Sequence, residues 1–187
     1  MTVNEIPVNI RCLEYRQDKK DADYGSCLYA RFYFNLDWGE LTIVSDVGNY
    51  AYRWGVSENE TFLELMVRIT KGYLCGKLCG SPKEFDYEST KDHMYDYWGV
   101  EEHDKEILDR IFEEIELTDG AEQSADIFLK AFDDNNYDTD YRHAYFCDVW
   151  EMVQYSYTPW QERICKIFVE NIQPKIREIL SKENEDE

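Results

Sequence analysis

The chain has 187 residues, of which 43% are hydrophobic and 16% aromatic, enough apolar material for a folded core and too much for an intrinsically disordered segment. It carries 40 acidic against 20 basic residues, a formal net charge of −20, which disfavours nucleic acid and anionic membranes as direct partners and favours a basic protein groove. The excess is lopsided: residues 1–80 hold 11 acids and 9 bases, whereas residues 81–187 hold 29 and 11.

Strand signals come first. "VNIRCLEYR", residues 8–16, is a candidate strand, followed by a polar connection over 17–26. "CLYARFYFNLD" alternates strictly, with Leu28, Ala30, Phe32, Phe34 and Leu36 on one face. "DWG" at 37–39 reads as a three-residue hairpin loop, with Gly39 free to take positive φ. "ELTIVSD" and "YAYRW" supply two more strands around the tight turn "VGN", with Tyr50, Tyr52 and Trp54 sharing a side. The expectation is an antiparallel four-stranded meander.

The period then lengthens to about 3.6 residues. Ser57 and Glu60 stand at capping-box spacing ahead of a helical stripe of Phe62, Leu65, Met66 and Ile69. Gly80-Ser81-Pro82 is the clearest break in the chain and coincides with the charge shift. Residues 83–98 are ambiguous between strand and helix. Helices are expected over 100–117 and about 121–133, with a short one near Val149–Val153. Another starts at Thr158-Pro159, and Pro174 is expected to kink or end it. Strands first and helices after define an α+β protein. The expected organisation is a sheet plus helix over 1–80 and an acidic helical region over 81–187, separate or packed on the sheet as one domain.

Six cysteines occur, with no basic-then-apolar leader at the start and no apolar run near ~18 residues, so free thiols in a reducing cytosol are expected. "DDNNYDTDYRHAY" places Asp134, Asn136, Asp138 and Asp140 at the alternate spacing of a calcium loop. The position that needs glycine is Thr139, however, and the one that needs a bidentate glutamate is Tyr145, which favours a solvated loop. Cys75-x3-Cys79 lacks the matching second pair of a zinc ribbon. No nucleophile elbow and no phosphate loop is present. His93, His103 and His143 all lie in charged contexts. No catalytic residue, metal ligand or cofactor is assigned, and the expectation is a protein that binds rather than catalyses.

The acidic residues form the candidate site. In the 100–117 helix the apolar residues Ile107, Leu108, Ile111, Phe112 and Ile115 must turn inward. That leaves Glu101, Glu102, Asp109, Glu113 and Glu114 on an outward arc, with carboxylates one turn apart near ~5–6 Å. Asp133, Asp134, Asp138 and Asp140 extend the charge, and Tyr137 and Tyr141 interleave it with a residue type enriched at interfaces.

The segment 40–78 resembles a group of small proteins encoded by phages and prophages. The residues that carry the resemblance are Ser45-Asp46-x-Gly48-Asn49-Tyr50-Ala51-Tyr52-Arg53-Trp54 and Tyr73-Leu74-x-Gly76-Lys77-Leu78. In overall character the chain is also similar to type II-A anti-CRISPRs, which inhibit Cas9. That resemblance implies an acidic face over 84–151 that docks on the Cas9–guide RNA complex and blocks target DNA. The alternative is a DNA mimic against a restriction enzyme, repressor or nucleoid protein. Within 45–54, Asp46 and Asn49 are expected to serve the turn, the aromatics to pack the sheet, and Arg53 to pair with an acid or stack on a ring.

Overall fold

Alternation in "YARFYFN" drives Ala30, Phe32 and Phe34 to one face, and all three are fully buried. The computed structural model describes residues 2–137 and 144–185. In it this segment is strand β2 (Tyr29–Asn35), flanked by β1 (Ile10–Arg16) and β3 (Glu40–Ser45), with β4 (Gly48–Arg53) outside β3. All three pairings are antiparallel, as the alternating pattern predicts. The register lines up Leu13, Phe32, Ile43 and Tyr50 in one row across the sheet, and Arg11, Phe34, Leu41 and Tyr52 in another. Gly39 has φ +63°, and a Cβ there would stand 2.8 Å from the Trp54 carbonyl oxygen, so this hairpin needs glycine twice over.

The helix after the sheet begins later than the Ser57–Glu60 spacing suggests. Glu60 is held by Arg68, at 2.5 and 2.7 Å, and caps nothing. Thr61 instead forms the capping box with Glu64 and opens α1 (Phe62–Arg68). The expected stripe then breaks: Ile69 is extended, and Thr70 caps a second helix, α2 (Lys71–Leu78). The buried Gln173 amide explains why the break is tolerated. It donates to the carbonyls of Met66 and Ile69, both at 2.8 Å, which the interrupted helix leaves without partners.

Two compact units result. Unit 1 is made of residues 1–82 and 157–187, and unit 2 of residues 83–156. The first break falls at Gly80-Ser81-Pro82, where the sequence marks it. The second, at Ser156–Tyr157, carries no glycine or proline signal and was not anticipated: the helices after 157 belong with the sheet rather than with the acidic region. In unit 1, α6 (Pro159–Ile167) starts on the Thr158 cap with Pro159 in its first turn. Its chain passes through a π-turn at Phe168–Ile172 into α7 (Gln173–Glu185). Pro174 therefore does not end the helix. The wider turn just before it relieves the clash its ring would otherwise make with the preceding turn. Phe168 packs between Phe32 and Phe34, with ring centroids 5.9 and 6.4 Å away, and anchors the α6–α7 run to the sheet.

Unit 2 resolves the ambiguous 83–98 stretch into both candidates, a two-residue strand β5 (Glu84–Phe85) and a helix α3 (Tyr87–Trp98) capped by Asp86. Then follow α4 (Glu102–Glu116), α5 (Ala125–Asn135), a 3₁₀ turn at Val149–Glu151 and β6 (Tyr155–Ser156). β6 pairs antiparallel with β5, so the unit is clasped where the chain enters and leaves. The buried Thr90 hydroxyl tightens this clasp, donating to the Asp86 carbonyl at 2.7 Å and accepting the Gln154 N–H at 2.8 Å. The core is a nest of rings, Tyr87, Phe112, Phe128, Phe132 and Phe146, closed by Met94, Leu108, Ile111 and Ile115.

Candidate docking surface

Helical spacing alone builds the main feature. On α4 the buried residues Leu108, Ile111, Phe112 and Ile115 form the inward stripe. Glu102, Glu106, Asp109, Glu113 and Glu116 follow one another at steps of three or four residues and fall on one line along the helix, all exposed. At 1.5 Å per residue this line of five carboxylates runs about 21 Å. Glu101, Glu113 and Glu114 are exposed as expected, and Asp133 and Asp134 stand exposed at the end of α5. Glu106 and Glu116, acids of the same outward arc, complete the line.

Partners decide whether such charge is neutralised within the chain. Unit 2 holds 22 acids and 6 bases, net −16, whereas unit 1 holds 18 and 14, net −4. Among the described residues unit 1 makes eight ion pairs. Unit 2 makes one, Lys91 with Glu116 at 2.9 Å. Among the described residues, tyrosine hydroxyls engage two more of these carboxylates. Tyr95 donates to Asp109 at 2.6 Å and Tyr145 to Asp104 at 2.8 Å. The Tyr95 hydroxyl is pushed well above its ordinary pKa, by burial first and then by the Asp109 carboxylate. Such bonds orient a carboxylate without cancelling its charge.

Helices α4 and α5 meet around a shallow cavity of about 420 Å³ lined by Arg110, Glu114, Asp134, Asn135 and Tyr137. Three of the candidate residues, Glu114, Asp134 and Tyr137, are therefore brought together. Tyr137 is 55% exposed beside them. The candidates Asp138, Asp140 and Tyr141 lie outside the described residues. Asn136, one of the calcium-loop oxygens, is buried. Its carboxamide accepts the Phe146 N–H at 2.9 Å and donates to the Phe146 carbonyl at 2.7 Å, imitating one rung of a ladder. Tyr137 bridges Ala144 next to it. A side chain fixed in this way is structural. Among the described residues no group of three or more His, Cys, Asp and Glu is arranged to hold a metal.

In unit 1 the turn residues have the structural roles expected of them. Asp46 accepts the backbone N–H of Leu28 at 2.9 Å and of Tyr29 at 3.4 Å, and a bond from the Cys27 thiol. Burial works to raise its pKa, but these donors outweigh it and the carboxyl sits below its usual range. The same burial, aided by Asp46, pushes the Cys27 thiol up to about 12. Asn49 accepts the Ser45 N–H. Arg53 pairs with no acid among the described residues; its Nε donates to the Trp38 carbonyl at 3.1 Å. None of the six cysteines forms a disulfide. Cys75 and Cys79 lie a turn apart near Cys165 of α6, and burial raises the Cys79 thiol to about 11.

The architecture is thus that of an α+β protein in which an acidic unit interrupts the sequence of a nearly neutral one. A family model described as a phage family matches residues 7–181, and the chain belongs to that family. The match extends far beyond the 40–78 segment that carries the resemblance in the sequence. No curated protein and no solved structure matches the chain. No helix among the described residues is long and apolar enough to cross a membrane.

Proposed function

We propose that this phage protein is a non-enzymatic inhibitor that seats the acidic surface of unit 2 in the nucleic-acid cleft of a host protein, Cas9 loaded with its guide RNA. The observation that supports this reading is the lack of internal neutralisation: 22 acids in unit 2, with one ion pair among the described residues. Bringing so many like charges together opposes folding, and a cationic cleft relieves that repulsion. The Cas9 channel binds its duplexes through backbone phosphates, and a line of carboxylates at helical spacing competes for the same cations. The exposed Tyr137 adds apolar area with a hydroxyl that keeps its hydrogen bonding.

The test is a cleavage assay with guide-loaded Cas9, adding the protein before or after target DNA. Inhibition is expected only when the protein is added first. Glu113→Lys, Glu114→Lys, Asp133→Lys and Asp134→Lys together are expected to abolish it while circular dichroism stays unchanged. Full inhibition by that quadruple variant rules out the electrostatic mode. If the native chain leaves Cas9 unaffected, the same charge pattern favours the second reading, a DNA mimic directed at a restriction enzyme, repressor or nucleoid protein. Capture of such a partner from host lysate at low salt, lost at high salt, identifies it.

A further inference from the structure

Unit 1 contains a cavity of about 760 Å³ between the β2–β3 hairpin loop, the stretch after β4, the start of α1 and the end of α7. That is within the usual size of a small-molecule site. Its walls mix rings with charges, and the charges can be followed one by one. Asp37 accepts the Asn9 N–H at 2.8 Å. Glu60 is held at two points by Arg68. Glu183 is paired with Arg11. Every acid on the wall is therefore engaged, and so is one of its two arginines. Asp37 keeps its charge under that backbone bond, and the cation on the wall without an ion pair among the described residues is Arg53, exposed, with Nε on the Trp38 carbonyl.

Two indoles stand beside it. Trp38 is 41% exposed. Trp54 is buried on the wall against Tyr52 and Phe62, with ring centroids at 4.7 and 6.0 Å, and its indole N–H finds no acceptor among the described residues. A buried donor without a partner is costly, and native structures contain few of them.

The geometry points to a binding site for a small anion that carries a planar ring, the chemistry of a mononucleotide or an aromatic carboxylate, with the ring on Trp38 and the anionic group on Arg53. This site is independent of the acidic surface and of the function proposed for it.

The test is ¹H–¹⁵N NMR of the full chain, titrated separately with adenosine monophosphate, adenosine, inorganic phosphate and indole-3-acetate. The indole N–H resonances of Trp38 and Trp54 are assigned by Trp38→Phe and Trp54→Phe. Saturable shifts of both resonances with adenosine monophosphate or indole-3-acetate are expected, and whichever binds names the source of the ring. Adenosine and phosphate alone are expected to bind at least tenfold more weakly, since a hydrogen bond to a charged group contributes roughly 1.5–3 kcal/mol. Arg53→Ala is expected to weaken binding by a similar factor. Equal binding of adenosine and its monophosphate, or no shift of the Trp54 resonance with either acid, overturns the proposal. The comparison of adenosine with its monophosphate uses the unaltered chain, so it decides the matter even if Arg53→Ala misfolds.

Discussion

The two units differ less in their acids than in their bases. Unit 1 has 18 acids and unit 2 has 22, but unit 1 has 14 bases to answer them and unit 2 has 6. The net charge of the chain is therefore a shortage of Lys and Arg in one stretch. The described ion pairs follow the same division. Most of the pairs in unit 1 are exposed and each is worth little, about 0–1 kcal/mol. Their meaning is local neutrality. Unit 2 is held by its ring-packed core, and the line of carboxylates on α4 faces outward.

If the units are separate cooperative blocks, breaking one core should leave the other. Phe128→Ala removes a fully buried ring from unit 2 and should cost about 3–5 kcal/mol. Calorimetry should show one transition lowered and one unchanged. A single transition shifting as a whole would mean that the units unfold together. Deleting residues 83–156 and joining the ends with a short Gly-Ser link sharpens the same point. Unit 1 alone should keep a dispersed NMR spectrum.

Asp46→Asn comes next. It weakens three bonds to a carboxylate at the turn and should cost about 1–2 kcal/mol. The folded pKa of Asp46 lies below its unfolded value. Its contribution is therefore present above the unfolded pKa and lost as pH falls through the folded one. Native and variant stabilities should converge in acid, and a gap that persists there contradicts the assignment. Thr158→Ala removes the cap and half of the capping box of α6, at about 1 kcal/mol, visible as a lower denaturant midpoint for unit 1. The smallest effect is that of salt. Raising ionic strength screens the repulsion in unit 2 and should stabilise it by under about 1 kcal/mol, with little change in unit 1. Equal responses would dissolve the electrostatic contrast between them.

Period-2 alternation made the sheet legible, because each β2 side chain has one buried and one open choice. The α4 surface was legible for the same reason at period 3.6. Other features depend on distant residues and leave no local signal. The break at Ile69–Thr70 is stabilised by Gln173, more than a hundred positions away. The return of the chain to unit 1 at Tyr157 follows from Phe168 meeting Phe32 and Phe34. Pro174 does not end the helix because the wider turn just before it accommodates the ring, and that turn depends on no local signal in the sequence. The loss of Asn136 as an oxygen ligand depends on Phe146, whose backbone takes both ends of its amide. That Arg53 forms no ion pair among the described residues is likewise invisible in sequence, where acids stand on both sides of it.

The clasp of β5 on β6 has a mechanical consequence. Tension applied between the two ends of the chain is borne by the sheet and by α6–α7, since the acidic insertion is a closed branch that leaves the path at Pro82 and rejoins it at Tyr157. While the Gly80 carbonyl holds the Tyr157 hydroxyl and the helices stay on the sheet, no load reaches the branch. Once unit 1 gives way, the pull falls on a two-residue ladder from its open end, the direction in which rungs separate singly, like the teeth of a zip.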